Sequence, residues 1–214
     1  VVMETDSHEM QMETHMEGES QKRGAGDGKD VASKKGRFYS RSAEQNNSDK
    51  MHEDNLYRHY KPDWATLAET YPETFGKHAT KEDGKVTIDW QNPEAVKEVT
   101  KTLLKHDFGI EWEMPLDYMC PPVPNRLNYL CWIADLVKII HEVRKPNNRE
   151  HVNGIDIGTG ASCIYPLLGR KAVGASGGAD WRFLASEIDR EAARIAADNV
   201  ARNGLGEFIQ VVVP

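Results

Sequence analysis

Hydrophobic positions are distributed very unevenly along the chain. Residues 1–50 contain no Leu, Ile, Trp or Cys and only three Val, among ten acidic and eight basic residues. Such a segment cannot bury enough apolar surface to offset the entropy lost on ordering, so we predict a disordered tail over residues 1–50. Aromatic and aliphatic residues become frequent from Met51 onward, where we expect folded structure to begin.

Residues 51–150 show a mainly helical pattern of apolar positions. The spacing predicts a short amphipathic helix over 62–68 and a strand over 86–90, where apolar and polar residues alternate. Asn92 followed by Pro93 is typical of a helix start, with Asn as the N-cap and Pro at the first helical position. The apolar face of that helix is expected to contain Ala95, Val99, Leu103 and Leu104.

A second long helix is predicted from residue 125 to about residue 143, because apolar residues recur there at helical spacing. The proline-rich stretch 121–124 in front of it is predicted not to be helical, and residues 146–148 are predicted to form a loop. We therefore expect residues 51–150 to form a helical N-terminal cap.

From residue 151 the pattern changes to alternating strands and helices. Strands are predicted over 152–157, 183–187 and 208–213, helices over 163–168 and 190–203, and a flexible connection over 174–178. This order is typical of the first half of a doubly wound, Rossmann-like α/β sheet, which we expect over 151–214.

The first of these strands leads into a glycine turn. Gly158 and Gly160 lack side chains where a backbone could approach a ligand, and turn amides before a helix suit a carboxylate or a phosphate. Glu187 ends the next predicted strand, 29 residues after Gly158, and could accept hydrogen bonds from both hydroxyls of a ribose. An adenosine-bearing ligand fits these residues.

Two such ligands fit the turn, a nicotinamide dinucleotide and S-adenosyl-L-methionine. The dinucleotide pattern Gly-x-Gly-x-x-Gly needs a third glycine, whereas this chain has Cys163. Asp156, two residues before the first glycine, is typical of the methyltransferase turn, so S-adenosyl-L-methionine is favoured. A glycine turn that binds nothing remains the simpler alternative. Thr159 and Ser162 could either bind the ligand or cap the following helix.

Charge and composition narrow the class of protein. The chain has 214 residues and a formal net charge of −7, so nucleic acid would have to bind at local basic patches. No apolar run approaches the roughly 20 residues of a spanning helix, and we expect no membrane partner. Three scattered cysteines exclude a disulfide framework, and the histidines show no ligand spacing, so no metal is expected.

Two groups of basic residues could contact a phosphate backbone. The candidates are Lys97, Lys101 and Lys105 at four-residue spacing on one helix face, and Arg58 and Lys61 before that helix. Glu94 and Glu98 on the same helix favour an ordinary solvated face instead. Both interpretations remain open from the residues alone.

The sequence closely resembles a known family over residues 155–169, which read Ile-Asp-Ile-Gly-Thr-Gly-Ala-Ser-Cys-Ile-Tyr-Pro-Leu-Leu-Gly. The family comprises the methyltransferase-like 16 proteins and the bacterial ribosomal RNA large-subunit adenine-N6 methyltransferase F. Further matching segments occur in order at 92–96, 103–104, 107–109, 123–124 and 126–129. The resemblance covers residues 51–214 and implies a class I S-adenosylmethionine-dependent methyltransferase fold with a helical N-terminal cap.

The resemblance also implies an activity and a site. Proteins of this family transfer a methyl group from S-adenosylmethionine to adenosine N6 in structured RNA, such as U6 small nuclear RNA, messenger RNA or ribosomal RNA. By similarity, Arg126 would bind the methionine carboxylate of the cofactor, Gly158 would lie beneath it and Glu187 would hold the ribose. A hairpin RNA partner, a monomeric state and a nuclear location, with the cytoplasm second, are expected on the same ground.

Departures from the family pattern limit what is expected of the chain itself. The family's catalytic Asn-Pro-Pro-Phe motif follows a fourth strand, whereas these residues stop after the third predicted strand. Because that motif would align the adenine amino group, we expect a truncated fold that binds the cofactor weakly and transfers methyl groups poorly. Gln91 also replaces a basic residue of the family. The alternatives are a noncatalytic RNA- or cofactor-binding protein and a methyltransferase acting on protein or small molecules.

Overall fold

The computed structural model describes residues 50–82, 84–144, 151–174 and 180–214. Nearly all of the predicted tail over 1–50 lies outside these residues. So do the predicted loop over 146–148 and most of the predicted connection over 174–178. The described residues all fall within one unit of the chain, which runs from Tyr39 to Pro214.

Short elements at the start of the helical cap depend on local hydrogen bonds. They are helix α1 (Leu56–His59), helix α2 (Trp64–Thr70), a 3-10 turn (Phe75–His78) and the antiparallel hairpin of β1 (Ala79–Glu82) and β2 (Lys85–Ile88). Asp63 caps α2 by accepting hydrogen bonds from the N–H groups of Ala65 and Thr66. The helix therefore begins two residues later than predicted. The apolar pattern predicts neither α1 nor β1, each of which is four residues long.

Helix α3 (Pro93–Phe108) begins as predicted. The side chain of Asn92 accepts a hydrogen bond from the N–H of Glu94, which confirms the N-cap. Gly109 ends the helix in the left-handed region at φ +62°. The four residues of the predicted apolar face are all buried, namely Ala95, Val99, Leu103 and Leu104.

Helix α4 (Val123–Arg144) corrects one prediction. The stretch 121–124 was expected to be non-helical throughout, yet the helix already includes Val123 and Pro124. Proline is tolerated there because residues in the first turn have no intrahelical acceptor for their N–H groups, so the missing N–H of Pro124 costs nothing. The inward side of α4 buries Leu127 and Leu130.

The second half of the described chain forms a parallel sheet. Its elements are β3 (His151–Ile157), α5 (Ile164–Leu168) with a π-helical turn (Gly169–Val173), β4 (Asp180–Ser186), α6 (Arg190–Arg202) and β5 (Ile209–Val212). The strand order is β3-β4-β5, with Ile157 opposite Ser186 and Ser186 opposite Val212. The carboxyl ends of all three strands therefore lie at one edge, as the predicted doubly wound order requires.

The two faces of this sheet differ in burial. One face packs beneath the helices and buries Trp181, Ala185 and Ile209, whereas Ile155 and Ile157 are exposed on the other. A single cluster of buried residues joins the sheet to the helical cap; it includes Leu104, Leu127, Leu167, Ala185 and Ala196. The glycine turn is thus anchored on a core shared with the cap. Among the described helices, none combines the length and apolarity needed to cross a membrane.

Candidate cofactor site

The glycine turn connects the carboxyl end of β3 to α5. Gly158 and Gly160 adopt φ values of +73° and +64°, in the left-handed region that favours glycine. A Cβ atom added at either position would meet no atom within 4 Å, so the space beside the turn is open. The N–H groups of Gly158 and Thr159 donate to the carbonyl of Ser186, at 2.9 and 3.0 Å, and tie the turn to β4.

Glu187 follows the last residue of β4 and reaches the same turn. Its Oε2 accepts a hydrogen bond from the N–H of Gly160 at 2.9 Å, and its Oε1 accepts one from the N–H of Asp189 at 3.0 Å. Its own N–H donates to the carbonyl of Val212 at 3.0 Å, which anchors it between neighbouring strands. The predicted proximity of Glu187 to the glycine turn is therefore present in the structure.

Three buried polar atoms near the turn have no hydrogen-bond partner among the described residues. They are Asp156 Oδ2, Thr159 Oγ1 and Arg126 Nε. Buried polar groups are normally paired, since an unpaired one loses its hydration without compensation. Burial raises the pKa of the Asp156 carboxyl, because the charged form loses its hydration. Unpaired donors and acceptors around an open glycine turn are typical of a polar ligand site.

Arg126 comes to this site from the first turns of α4. Its Nη1 donates to the hydroxyl of Tyr165 on α5 at 2.9 Å, and its guanidinium carbon lies 5.5 Å from the centroid of the same ring. Tyr165 in turn makes an edge-on contact with Tyr129, with ring centroids 5.3 Å apart. Apolar periodicity treats Tyr165 as part of a helix face, so its role in holding Arg126 is visible only in the tertiary structure.

Ser162 takes part through its backbone. Its carbonyl accepts a hydrogen bond from the indole Nε1–H of Trp112 at 2.9 Å. The residue that precedes α5 is Cys163, and no side chain caps the start of this helix. The interpretation of Thr159 and Ser162 as helix caps is therefore wrong, and ligand contact remains the prediction for both.

The three lysines on α3 are all paired with carboxylates. Lys97 and Lys101 contact Glu113, the latter at 2.7 Å, and Lys105 contacts Glu111 at 2.8 Å. These pairs neutralise much of the positive charge of the stripe. In the other basic group, Arg58 donates to the carbonyl of Met51, and the exposed Lys61 forms no ion pair with another described residue.

Among the described residues of the helical cap, one group of side chains could hold a metal ion. Ligand atoms of His52, Asp54 and Asp135 lie within 4.8 Å of one another. Both ring nitrogens of His52 are engaged, one by Asp135 and one by the N–H of Asp54. Lys138 contacts both carboxylates and supplies a compensating positive charge. The expectation that no metal binds stays a prediction.

Comparison with known proteins shows the family to which the chain belongs. The sequence profile of a family described as RNA methyltransferase matches residues 45–213. The chain belongs to this RNA methyltransferase family. The Homo sapiens relative, RNA N(6)-adenosine-methyltransferase METTL16, is 43% identical over 166 residues, which are 77% of this chain and 28% of the relative. The Dictyostelium discoideum relative, U6 small nuclear RNA (adenine-(43)-N(6))-methyltransferase, is 38% identical over 174 residues, or 80% and 30% of the two chains.

Solved structures of this family show the same fold. The N-terminal domain of human METTL16 in complex with S-adenosylhomocysteine gives a TM-score of 0.67 at 42% identity, over 77% of this chain and 59% of that one. The human METTL16 catalytic domain in complex with MAT2A 3'UTR hairpin 6 gives a TM-score of 0.66 at 42% identity, over 77% and 53%. These matches confirm the predicted class I methyltransferase fold. The chain spans about a third of the length of the two curated relatives.

Proposed function

We propose that this chain forms the cofactor-binding part of an S-adenosyl-L-methionine-dependent RNA (adenine-N6)-methyltransferase. The observation that carries the proposal is the set of unpaired buried atoms of Arg126, Asp156 and Thr159 around the open glycine turn. Two named members of the family are RNA adenine-N6 methyltransferases, and one solved member holds S-adenosylhomocysteine. Residues 51–150 would serve as the helical, RNA-facing cap and residues 151–214 as the cofactor-binding half-sheet.

The residues present fit this cofactor. The guanidinium of Arg126 suits the methionine carboxylate, and the buried Asp156 carboxylate suits its ammonium group. The N–H groups of Gly158, Thr159 and Gly160 already donate to Ser186 and Glu187, so these residues would contact the cofactor by the close approach of their backbone. The amide of Ser162 suits a further oxygen atom, and Glu187 suits the two ribose hydroxyls. The cofactor supplies a methyl group activated on a sulfonium. The chain's own part is to hold that methyl donor at the carboxyl edge of the sheet.

Methyl transfer itself requires that an adenine amino group be held in line with the methyl group. No Asn-Pro-Pro-aromatic sequence occurs in these 214 residues, and we assign no catalytic residue among them. The proposed reaction would be a direct displacement, in which adenine N6 bonds to the methyl carbon as the bond from that carbon to the sulfonium sulfur breaks. S-adenosylhomocysteine would leave, N6 would lose a proton, and neither a metal nor a covalent enzyme intermediate would be needed. A noncatalytic cofactor- or RNA-binding protein is the second candidate.

Cofactor binding is the first test. Titration of the 214-residue chain with S-adenosyl-L-methionine in a calorimeter should show one site, and Arg126→Met should weaken it about tenfold, because a charged pair to the carboxylate is lost. Arg170→Met is the matched control, since Arg170 lies at the opposite end of the sheet and should leave the affinity unchanged. Absence of cofactor binding by the unaltered chain would reject the proposal.

Substrate class is tested with labelled cofactor. A hairpin RNA with an adenosine target should accept the methyl group, whereas the same hairpin carrying N6-methyladenosine at that position should accept none. We expect transfer by this chain to be slow. Label that appears in protein or in a small molecule instead of the hairpin would favour the third alternative.

Phosphate contacts are proposed at Arg58 and Lys61, and with less support at Lys97, Lys101 and Lys105, which already pair with carboxylates. Lys61→Gln should make the slope of log binding constant against log salt concentration for hairpin RNA shallower by about one. Lys101→Gln should change it less. An equal effect of the two would restore the lysine stripe as an RNA-binding surface.

A monomeric state and a nuclear location complete the proposal. The nuclear location is supported by the relative that is named for U6 small nuclear RNA. Sedimentation of the purified chain and microscopy of a tagged protein would test these two points.

A further inference from the structure

Residues 110–114 form an extended segment, here called the clamp segment, between α3 and the glycine turn. Ile110, Trp112 and Met114 are buried, which leaves the alternating Glu111 and Glu113 to face other partners. The alternation matches an extended strand, in which successive side chains point to opposite sides. The segment belongs to no sheet among the described residues, so its backbone must be satisfied in another way.

Asn199 on α6 and Asn203, the residue that follows the last residue of α6, form hydrogen bonds with the backbone of the clamp segment. The amide of Asn203 accepts from the N–H of Glu111 at 2.9 Å and donates to its carbonyl at 2.7 Å. The amide of Asn199 does the same with Glu113, at 2.9 and 2.8 Å. Residues four apart in a helix are about 6 Å apart along its axis, and residues two apart in an extended segment are about 6.6 Å apart. Two asparagines four residues apart therefore match two clamp residues that are two residues apart. The two amides therefore replace a neighbouring strand.

The carboxylates of the clamp segment hold it to α3. Glu111 pairs with Lys105, and Glu113 pairs with Lys97 and Lys101. Burial tends to raise the pKa of Glu113, but the hydrogen bonds from Lys101 and Lys97 outweigh it and lower the pKa overall. The lysine stripe thus has a structural role, which is to fix the clamp segment between two helices.

Trp112 connects the clamp segment to the glycine turn. It is 2% exposed, and its indole N–H donates to the carbonyl of Ser162 at 2.9 Å. Asn199 also donates to the preceding carbonyl, that of Ala161, at 3.4 Å. Because a trans peptide directs its C=O and N–H to opposite sides, these bonds turn the N–H of Cys163 away from Trp112 and the N–H of Ser162 away from Asn199.

The backbone at Cys163 shows why such support is needed. Cys163 has a φ of +48°, the one positive value at a non-glycine residue in the described chain. This conformation costs a side-chain-bearing residue of the order of 1–2 kcal/mol, so neighbouring contacts must maintain it. The hydrogen bond from Trp112 acts on the peptide that joins Ser162 to Cys163.

We infer that Trp112 is a positioning residue for the cofactor site. Its indole N–H holds the turn of residues 158–163 in the conformation that receives the cofactor, and the clamp segment thereby couples the helical cap to cofactor affinity. This inference deepens the proposed function and rests on it for the identity of the ligand. The geometry of the turn can be tested without any ligand.

The test removes the indole N–H and measures amide exchange. Trp112→Phe in the 214-residue chain, without cofactor, should speed hydrogen exchange at the amides of residues 159–163 about fivefold, the ratio expected for one lost hydrogen bond. Trp181→Phe is the matched control, because Trp181 is also buried, at 4% exposure, but packs against Phe183 at the start of β4. Rates are compared after correction for global stability. Equal rates at the turn in the two variants would overturn the inference.

A second readout is cofactor affinity. Trp112→Phe should weaken S-adenosylhomocysteine binding about fivefold in calorimetry, whereas Trp181→Phe should not change it. If the unaltered chain binds no cofactor, the proposed function fails, yet the exchange rates still decide whether Trp112 positions the turn. If Trp112→Phe does not fold, benzothienylalanine at position 112 keeps the bicyclic ring and removes only the N–H. The same changes in exchange and affinity are then expected, and their absence would reject the role of Trp112.

Discussion

The two ends of the parallel sheet differ in whether their polar groups have hydrogen-bond partners. At the amino end, Asp180 accepts hydrogen bonds from Arg170 and Arg182, pairs with His151, and has a pKa lowered by these partners. The guanidinium of Arg170 also stacks over the ring of Phe208 at 3.7 Å. At the carboxyl end, buried atoms of Arg126, Asp156 and Thr159 remain without partners among the described residues.

This contrast distinguishes polar groups that find partners within the fold from polar groups that do not. In a paired network, hydrogen bonds between the members replace the hydrogen bonds to water that are lost on burial. The polar groups at the amino end therefore stabilise the fold without a ligand. An unpaired buried group destabilises the protein and is retained where a ligand supplies the missing partner. Substitutions at the carboxyl end should therefore change cofactor affinity, and substitutions at the amino end should change stability.

The largest expected effect comes from the glycine turn. Gly158→Val places a branched side chain at φ +73°, which it can adopt only under strain, and it fills the open space beside the turn. We expect cofactor affinity to fall at least about a hundredfold, equivalent to about 3 kcal/mol. Gly206→Val is the matched control, because Gly206 also has open space around it but no positive φ. Calorimetric titration of both variants decides, and similar losses would contradict the special role of the turn.

The second effect compares two carboxylates. Glu187→Gln should weaken cofactor binding about thirtyfold, because ribose hydroxyls would lose a charged acceptor. Asp180→Asn should lower the midpoint of thermal unfolding through the loss of its charged pairs and leave the affinity unchanged. Titration and thermal unfolding of each variant provide the comparison. A loss of affinity in Asp180→Asn would break the proposed division between the two ends.

A third prediction concerns pH. Burial raises the pKa of Asp156 above its unfolded value, so the native state binds protons more readily than the unfolded state and loses stability as pH rises through this pKa. Asp156→Asn removes the loss of stability that comes from burying a charged carboxylate. It should therefore raise the midpoint of thermal unfolding at pH 7, while the difference from the unaltered chain shrinks as pH falls below about 4. Its cofactor affinity should fall at the same time. A destabilised variant at pH 7 would show that Asp156 has a structural partner.

The smallest effect is expected from the cation over Phe208. Arg170→Met keeps an apolar side chain above the ring and loses the guanidinium, so the free energy of unfolding should fall by about 1 kcal/mol. Chemical denaturation measures this change. No loss of stability would mean that the paired network at the amino end contributes little to the fold.

Local sequence signals predicted much of the fold. Asn92 with Pro93 marks the start of α3, and the glycine turn and Glu187 meet at the edge where the strands end. These features depend on hydrogen bonds and backbone preferences within a few residues, or on strand order, which the apolar pattern records. The start of α4 was misjudged because Pro124 lies in its first turn, where a proline is acceptable and a break is not required.

Contacts between distant segments could not be predicted in this way. Trp112 reaches Ser162 across 50 residues, and Glu113 reaches Asn199 across 86. A stripe of lysines is equally consistent with an RNA-binding face, a solvated face or a set of ion pairs to a neighbouring segment. Spacing along one helix does not reveal what packs against it. The clamp segment and the support of Arg126 by Tyr165 are of the same kind.

The sequence by itself determined the order of strands and helices, the glycine turn with its acidic neighbours, and the resemblance to RNA methyltransferases. These properties follow from the residue types within short stretches and from their succession. The tertiary structure decided which polar groups find partners and which do not. That distinction depends on the packing of segments far apart in the chain, and it separates Arg126 and Asp156, which each keep an unpaired buried atom, from Arg170 and Asp180, which pair with each other.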